Sequence, residues 1–121
     1  NMNMLGLYAY IAAYEEGDEY LDQLLVYLAG NVAHLQQRLA AELPQIQLIA
    51  PQGTYLMWLG CRAMKMEPRE LADFFTWKAG VAMNTGDWFG PEGRGFMRMN
   101  LACPRATLDR ALDRMVQAFA E

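Results

Sequence analysis

The segment Gly93-Arg94-Gly95-Phe96-Met97-Arg98-Met99-Asn100-Leu101 sets one guanidinium inside an apolar run that reads as a buried strand. Strand side chains alternate between faces, so Phe96, Arg98 and Asn100 share one side while Met97, Met99 and Leu101 share the other. A guanidinium presents a planar fork of donors that meets a carboxylate with two parallel hydrogen bonds, which a lysine does not reproduce. Arg98 is therefore a candidate anchor for an acid; the alternative is an ordinary arginine on the solvent side of an edge strand. Asn100 shares its face, either to orient the guanidinium or as an exposed strand amide. Tyr55 follows Gly53-Thr54 at a turn-to-strand junction, where its ring borders a site or fills the core. Trp88 and Phe89, in the glycine-rich stretch, line the mouth of a site or fill a seam against another domain.

Other chemistries find less support. Gly86, Gly90, Gly93 and Gly95 lead into a strand rather than a helix N-terminus, so they do not build a phosphate cradle. His34 is the single histidine, with no cysteine or carboxylate at ligand spacing; it predicts a surface residue rather than a metal site or a triad. Cys61 and Cys103 are isolated thiols without a disulfide pattern, which points to a reducing cytoplasm. Glu15, Glu16, Asp18, Glu19 and Asp22 read as a solvated patch. The net charge of -4 and pI near 4.9 argue against nucleic acid as a partner. Polar residues interrupt every apolar segment well short of the about 18 residues a membrane span needs, so no membrane association is expected.

The elements that must position these residues follow from period and punctuation. With 121 residues the chain suits one domain. Met4, Leu7, Tyr8 and Ile11 keep helical spacing until Gly17. From Asp18, an N-cap type, Leu21, Leu24, Leu25, Leu28, Val32, Leu35 and Leu39 hold one face until Pro44, which predicts the longest helix. Gln45 to Ile49 alternates as a strand, Pro51-Gln52-Gly53 turns, and Thr54 to Leu59 forms a second strand. Pro68 opens a helix that turns Leu71, Phe74 and Phe75 inward and closes at Gly80; a short strand is expected over Val81 to Met83. Gly86 to Gly95 has no period and reads as a loop into the Phe96 to Leu101 strand. A last helix starts near Pro104 or Thr107 and buries Leu108, Leu112, Met115 and Phe119. The sum is a small two-layer α/β sandwich, a mostly antiparallel sheet of three to four strands with helices on one face. Its other face carries Arg98.

Several motifs carry a family likeness. Asn84-Thr85-Gly86-Asp87-Trp88-Phe89-Gly90-Pro91-Glu92-Gly93 running into Gly95-Phe96-Met97-Arg98-Met99-Asn100, with Cys103-Pro104-Arg105 beyond, resembles the C-terminal signature of the class I/II aminotransferases, pyridoxal-phosphate enzymes of fold type I. Ala12-Ala13-Tyr14 with Gly17, Tyr27-Leu28 with Asn31, and Gly53-Thr54-Tyr55-Leu56-Met57-Trp58 resemble, in order and spacing, the cystathionine β-lyase branch, the MalY/PatB type. The likeness covers essentially the whole chain but only the last third of such an enzyme. It implies that residues 1–121 form the C-terminal small domain, and the start at Asn1 rather than methionine fits an excised piece. It further implies that Arg98 holds the α-carboxylate of an amino acid substrate and that Asn100, Tyr55 and Trp88 lie near it. Pyridoxal 5'-phosphate is expected in the full-length enzyme, bound through a lysine of a larger domain and not by this piece alone. Neither Lys65 nor Lys78 has the Ser-x-x-Lys context of that lysine. The full-length protein is expected to be a homodimer catalysing transamination or C–S β-elimination. Met99 stands where leucine is common in the family, a volume-conserving change. Two other readings stay open on the residues alone: a free-standing amino-acid-binding module and a dimerisation domain.

Overall fold

The computed structural model describes residues 3–121. A first helix, α1 (Met4–Glu16), is capped by Asn3, whose Oδ1 accepts from the Gly6 N–H. It breaks at Gly17 and the chain continues as α2 (Asp18–Glu42). Glycine is required at this joint because a Cβ would stand 2.2 Å from the Ala13 carbonyl oxygen. Asp18 is the first residue of α2, and Gly17 occupies the cap expected for it. The stripe read along α2 divides in two: Leu35 and Leu39 are buried, whereas Leu21 and Leu25 are half exposed. The C-terminal half of the helix lies on the sheet, and the N-terminal half, with all of α1, projects past it.

Four strands follow: β1 (Gln47–Leu48), β2 (Leu56–Gly60), β3 (Asn84–Thr85) and β4 (Phe96–Asn100). They form one antiparallel sheet in the order β1-β2-β4-β3. Met57 and Leu59 of β2, with Met97 and Met99 of β4, face inward. They meet Leu35 and Leu39 of α2, Leu71 of α3 (Pro68–Asp73), and Leu108, Leu112 and Met115 of α4 (Arg105–Ala120) in one apolar cluster. Burying one such leucine or methionine is worth about 1.5–3 kcal/mol, which holds the helices to that face and leaves the other open. This is the two-layer arrangement that the alternation of the strands predicts. No helix among the described residues is long and apolar enough to cross a membrane.

Four elements depart from the expectation, and of these β1 is shorter, pairing only over Gln47–Leu48 of the expected Gln45 to Ile49. The strand over Val81 to Met83 is displaced to Asn84–Thr85. In the register Asn84↔Arg98, residue 81 would pair with Leu101. Val81 N–H instead donates to the Phe75 carbonyl at 2.8 Å, which ties this stretch to the end of the third helix. Val81 and Met83 still pack against the core, so their apolar character serves side-chain burial rather than a ladder. The β2 strand starts two residues late, because Thr54 has φ 61° and its hydroxyl accepts from the Leu56 N–H; Tyr55 belongs to the bend. The third helix widens into a π-turn over Phe74–Lys78, with Ala79 N–H reaching the Phe74 carbonyl, and Gly80 at φ 64° ends it. Phe75 is sealed in the core, while Phe74 and Phe119 meet edge to face at its rim.

One buried polar hub joins the layers. Asn31 is 0% exposed, yet all its groups are satisfied: Nδ2 donates to the Leu101 and Cys103 carbonyls at 3.1 Å each, and Oδ1 accepts from Arg105 Nε at 2.8 Å. Tyr27 Oη accepts from the Arg105 N–H at 2.7 Å. These contacts give a physical reason for Tyr27, Asn31 and Arg105: they pin the end of β4 and the start of α4 to α2. Nearby, His34 is not a free surface residue; its Nε2 lies 2.5 Å from Asp109 of α4, beside Arg38 and its partners Glu42 and Asp113.

Candidate functional site

On the open face of the sheet the register aligns Trp58, Arg98 and Asn84 in one row across β2, β4 and β3. Arg98 is half buried, and its Nη2 donates to Asn84 Oδ1 at 2.8 Å. Its Nε is buried and has no hydrogen-bond partner, and among the described residues no carboxylate pairs with it. Charged groups are seldom buried without a counter-charge, because desolvation then goes uncompensated. Arg98 thus carries unspent capacity for an anion.

An aromatic series flanks the guanidinium. The Phe89 ring lies 4.5 Å from Arg98 Cζ and meets Trp58 edge-on at 5.6 Å; Trp58 stacks on Phe96 at 5.7 Å. The far end is closed by Arg62, whose Cζ is 4.6 Å from the Phe96 ring centroid. Rings of this kind attract a cation with their faces while excluding water from its neighbourhood.

The glycine-rich loop delivers Phe89 to this position. It contains two short 3₁₀ turns, Gly86–Phe89 and Pro91–Gly93, where sequence suggested no regular structure. Gly86 and Gly93 touch backbone to backbone: a Cβ on either would come within about 2 Å of the other's carbonyl oxygen (2.1 and 2.0 Å). Arg62 also ties the loop down, donating from Nη2 to the Glu92 carbonyl and from Nε to the Arg94 carbonyl. Gly86 and Gly93 are there for close backbone approach.

The sequence candidates divide accordingly. Arg98 sits on the open face, as its alternation requires. Asn100 lies on the same face, but its Oδ1 accepts from the Ala102 N–H at 2.7 Å, and Asn84 rather than Asn100 orients the guanidinium. Tyr55 is 46% and Trp88 70% exposed, and neither stacks on Arg98; the loop ring that does is Phe89. Strand register brings Asn84 and Trp58 to the guanidinium, and the folded loop brings Phe89. Trp58 was legible as the outward-facing residue of its strand.

A pyridoxal group would need a lysine facing this row. Lys65 is exposed in a left-handed turn beyond β2, and Lys78 has its Nζ 5.5 Å over the Phe74 ring on the helical layer. The residues present fit a carboxylate and do not by themselves form a cofactor site. No group of cysteine, histidine and carboxylate suited to a metal ion occurs among the described residues.

No protein-family model matches the chain. Protein MalY of Escherichia coli K12 is 35% identical over 117 residues, which is 97% of this chain and 30% of MalY. Cystathionine β-lyase PatB of Bacillus subtilis is 34% identical over 119 residues, 98% of this chain and 31% of PatB. Among solved structures, cystalysin from Treponema denticola, whose crystal structure contains a pyridoxal 5'-phosphate cofactor, superposes with a TM-score of 0.95 at 30% identity, over 99% of this chain and 30% of cystalysin. The chain therefore spans about a third of the relatives it matches. A small antiparallel sheet with helices on one face and Arg98 on the other matches the C-terminal part of fold type I, aminotransferase-like proteins. Within that class the chain is similar in sequence to the matching third of MalY and of the cystathionine β-lyase PatB.

Proposed function

We propose that this chain is the C-terminal domain of a pyridoxal-phosphate-dependent enzyme acting on amino acids, and that Arg98 holds the substrate's α-carboxylate. The observation that carries the reading is a half-buried guanidinium that no carboxylate pairs with among the described residues, set against an aromatic flank. A carboxylate arriving there completes a charge-assisted pair in a setting of reduced water, where such pairs are strongest. Holding the acid group fixes the orientation of the substrate's Cα and removes rotational freedom before reaction. The cofactor, supplying an electron sink for the bond broken at Cα, belongs to the part of the enzyme outside this chain. The likeness to PatB, a cystathionine β-lyase, favours C–S β-elimination over transamination.

Leu5, Tyr8, Tyr14, Tyr20 and Val26 on α1 and the first half of α2 are exposed apolar residues, which suits their being covered by the larger domain of the same enzyme. A homodimer is proposed for the full-length protein, and two free cysteines, one deeply buried, accord with a reducing cytoplasm. The test is Arg98→Lys in the full-length, pyridoxal-phosphate-loaded enzyme. We expect kcat/KM for amino acid substrates to fall about 100-fold with the cofactor absorbance retained, as loss of a positioning contact does. A change under about threefold removes the proposal.

A further inference from the structure

We infer that Asn84 and Phe89 are positioning residues that aim the Arg98 guanidinium without neutralising it. The inference rests on the carboxylate reading of Arg98. Asn84 is the direct cross-strand partner of Arg98, so the backbone ladder, not a chance rotamer, sets its Oδ1 2.8 Å from Nη2. This in-plane bond fixes the rotation of the fork. Phe89, propped edge-on by Trp58, covers one face at 4.5 Å and stops the fork from tilting. With Nε sealed and Nη2 held, Nη1 is left outward with no partner, and the Nη1 end is the one that meets an acid.

Both contacts are uncharged. An aspartate at position 84 would have nearly the same shape and would bind Arg98 more strongly, but as a permanent counter-ion competing with the substrate. The neutral amide orients the cation and leaves its charge available. The ring adds attraction for a cation without bringing an acceptor for its protons.

The experiment measures binding of L-alanine and of L-alaninamide, which lacks the carboxylate, to the full-length loaded enzyme through the absorbance of the bound cofactor. The readout is the ratio of the two dissociation constants in variants that differ at single positions. Asn84→Asp is expected to weaken L-alanine about tenfold with little effect on the amide, and Phe89→Ala about three- to fivefold, the range typical of a half-exposed cation–ring contact. Phe89→Tyr, which keeps the ring, restores the ratio. General structural damage lowers both affinities alike and leaves the ratio unchanged, which overturns the inference. If Arg98→Ala abolishes the preference for the acid while the other variants do not move it, the positioning role fails and the carboxylate role stands. If Arg98→Ala also leaves the ratio unchanged, both fall. A second measurement needs no turnover: the Arg98 Nε–H, sealed in the parent, must exchange faster with water in Phe89→Ala, and unaltered exchange counts against the role of the ring.

Discussion

Replacing Arg98 with methionine separates a functional arginine from a structural one. The substitution removes the Nη2 bond to Asn84, a charge-assisted hydrogen bond worth about 1.5–3 kcal/mol. It also removes the contact with the Phe89 face, about 0.5–1 kcal/mol at a partly exposed position. Against these losses, it deletes a buried Nε–H that has no partner, a desolvation penalty of about 1–3 kcal/mol. The methionine sulfur near Phe89 recovers a further contact of about 0.3–1.5 kcal/mol. The opposing effects nearly cancel, and the expected net change lies within about 1 kcal/mol of zero. An arginine that served as half of a buried ion pair would instead cost about 3–5 kcal/mol on removal of its partner group. Urea unfolding of the chain, followed by tryptophan fluorescence and far-UV circular dichroism, reads this difference as a shift of the midpoint at constant slope. A loss above about 2.5 kcal/mol refutes the reasoning, because Arg98 would then be holding the fold together rather than waiting for an acid.

Three further expectations rest on other parts of the structure. Asn31→Ala strands two carbonyls and the Arg105 Nε together, and should lower unfolding stability by about 3–4 kcal/mol in the same urea assay; a loss under about 1 kcal/mol contradicts the hub. Gly86→Ala drives a methyl into the Gly93 carbonyl and should cost about 1–3 kcal/mol, with a changed near-UV spectrum as Phe89 leaves Trp58; an unchanged spectrum refutes the loop's role in placing that ring. Burial pushes the Cys61 thiol up to about 12, so an aromatic disulfide reagent at pH 8 should label Cys103 and spare Cys61 until denaturant is added. The linkage has a definite sign: the unfolded thiol, with its pKa near 8.5, releases its proton first, so this contribution is intact below about pH 8.5 and is lost as pH rises towards 12. A Cys61→Ala variant should show a shallower decline over that window, and equal slopes would refute the assignment.

Local physics in the chain determined a good deal. Alternation in Phe96 to Leu101 put Arg98 on the face opposite Met97 and Met99, because strand geometry allows no other arrangement. Leucine spacing and Pro44 bounded the long helix, and the glycines between 86 and 95 announced a loop, since each rule involves only neighbours in sequence. The family motifs, read over the whole length, pointed to the enzyme class before any coordinates. Other features depended on partners remote in sequence. Val81 to Met83 carry strand-like residues, but they pack against core residues from distant parts of the chain rather than joining a ladder. The exposed first half of α2 has the same leucine stripe as the buried second half, because a pattern records what a helix can bury and not whether a partner reaches it. Asn84 looks like an ordinary residue and Phe89 like one lining a mouth or a seam, until register and a backbone contact between two glycines bring both to one guanidinium. The sequence by itself decided which residue could hold an acid; the tertiary structure decided what aims it, because orientation is set by contacts across strands rather than along one.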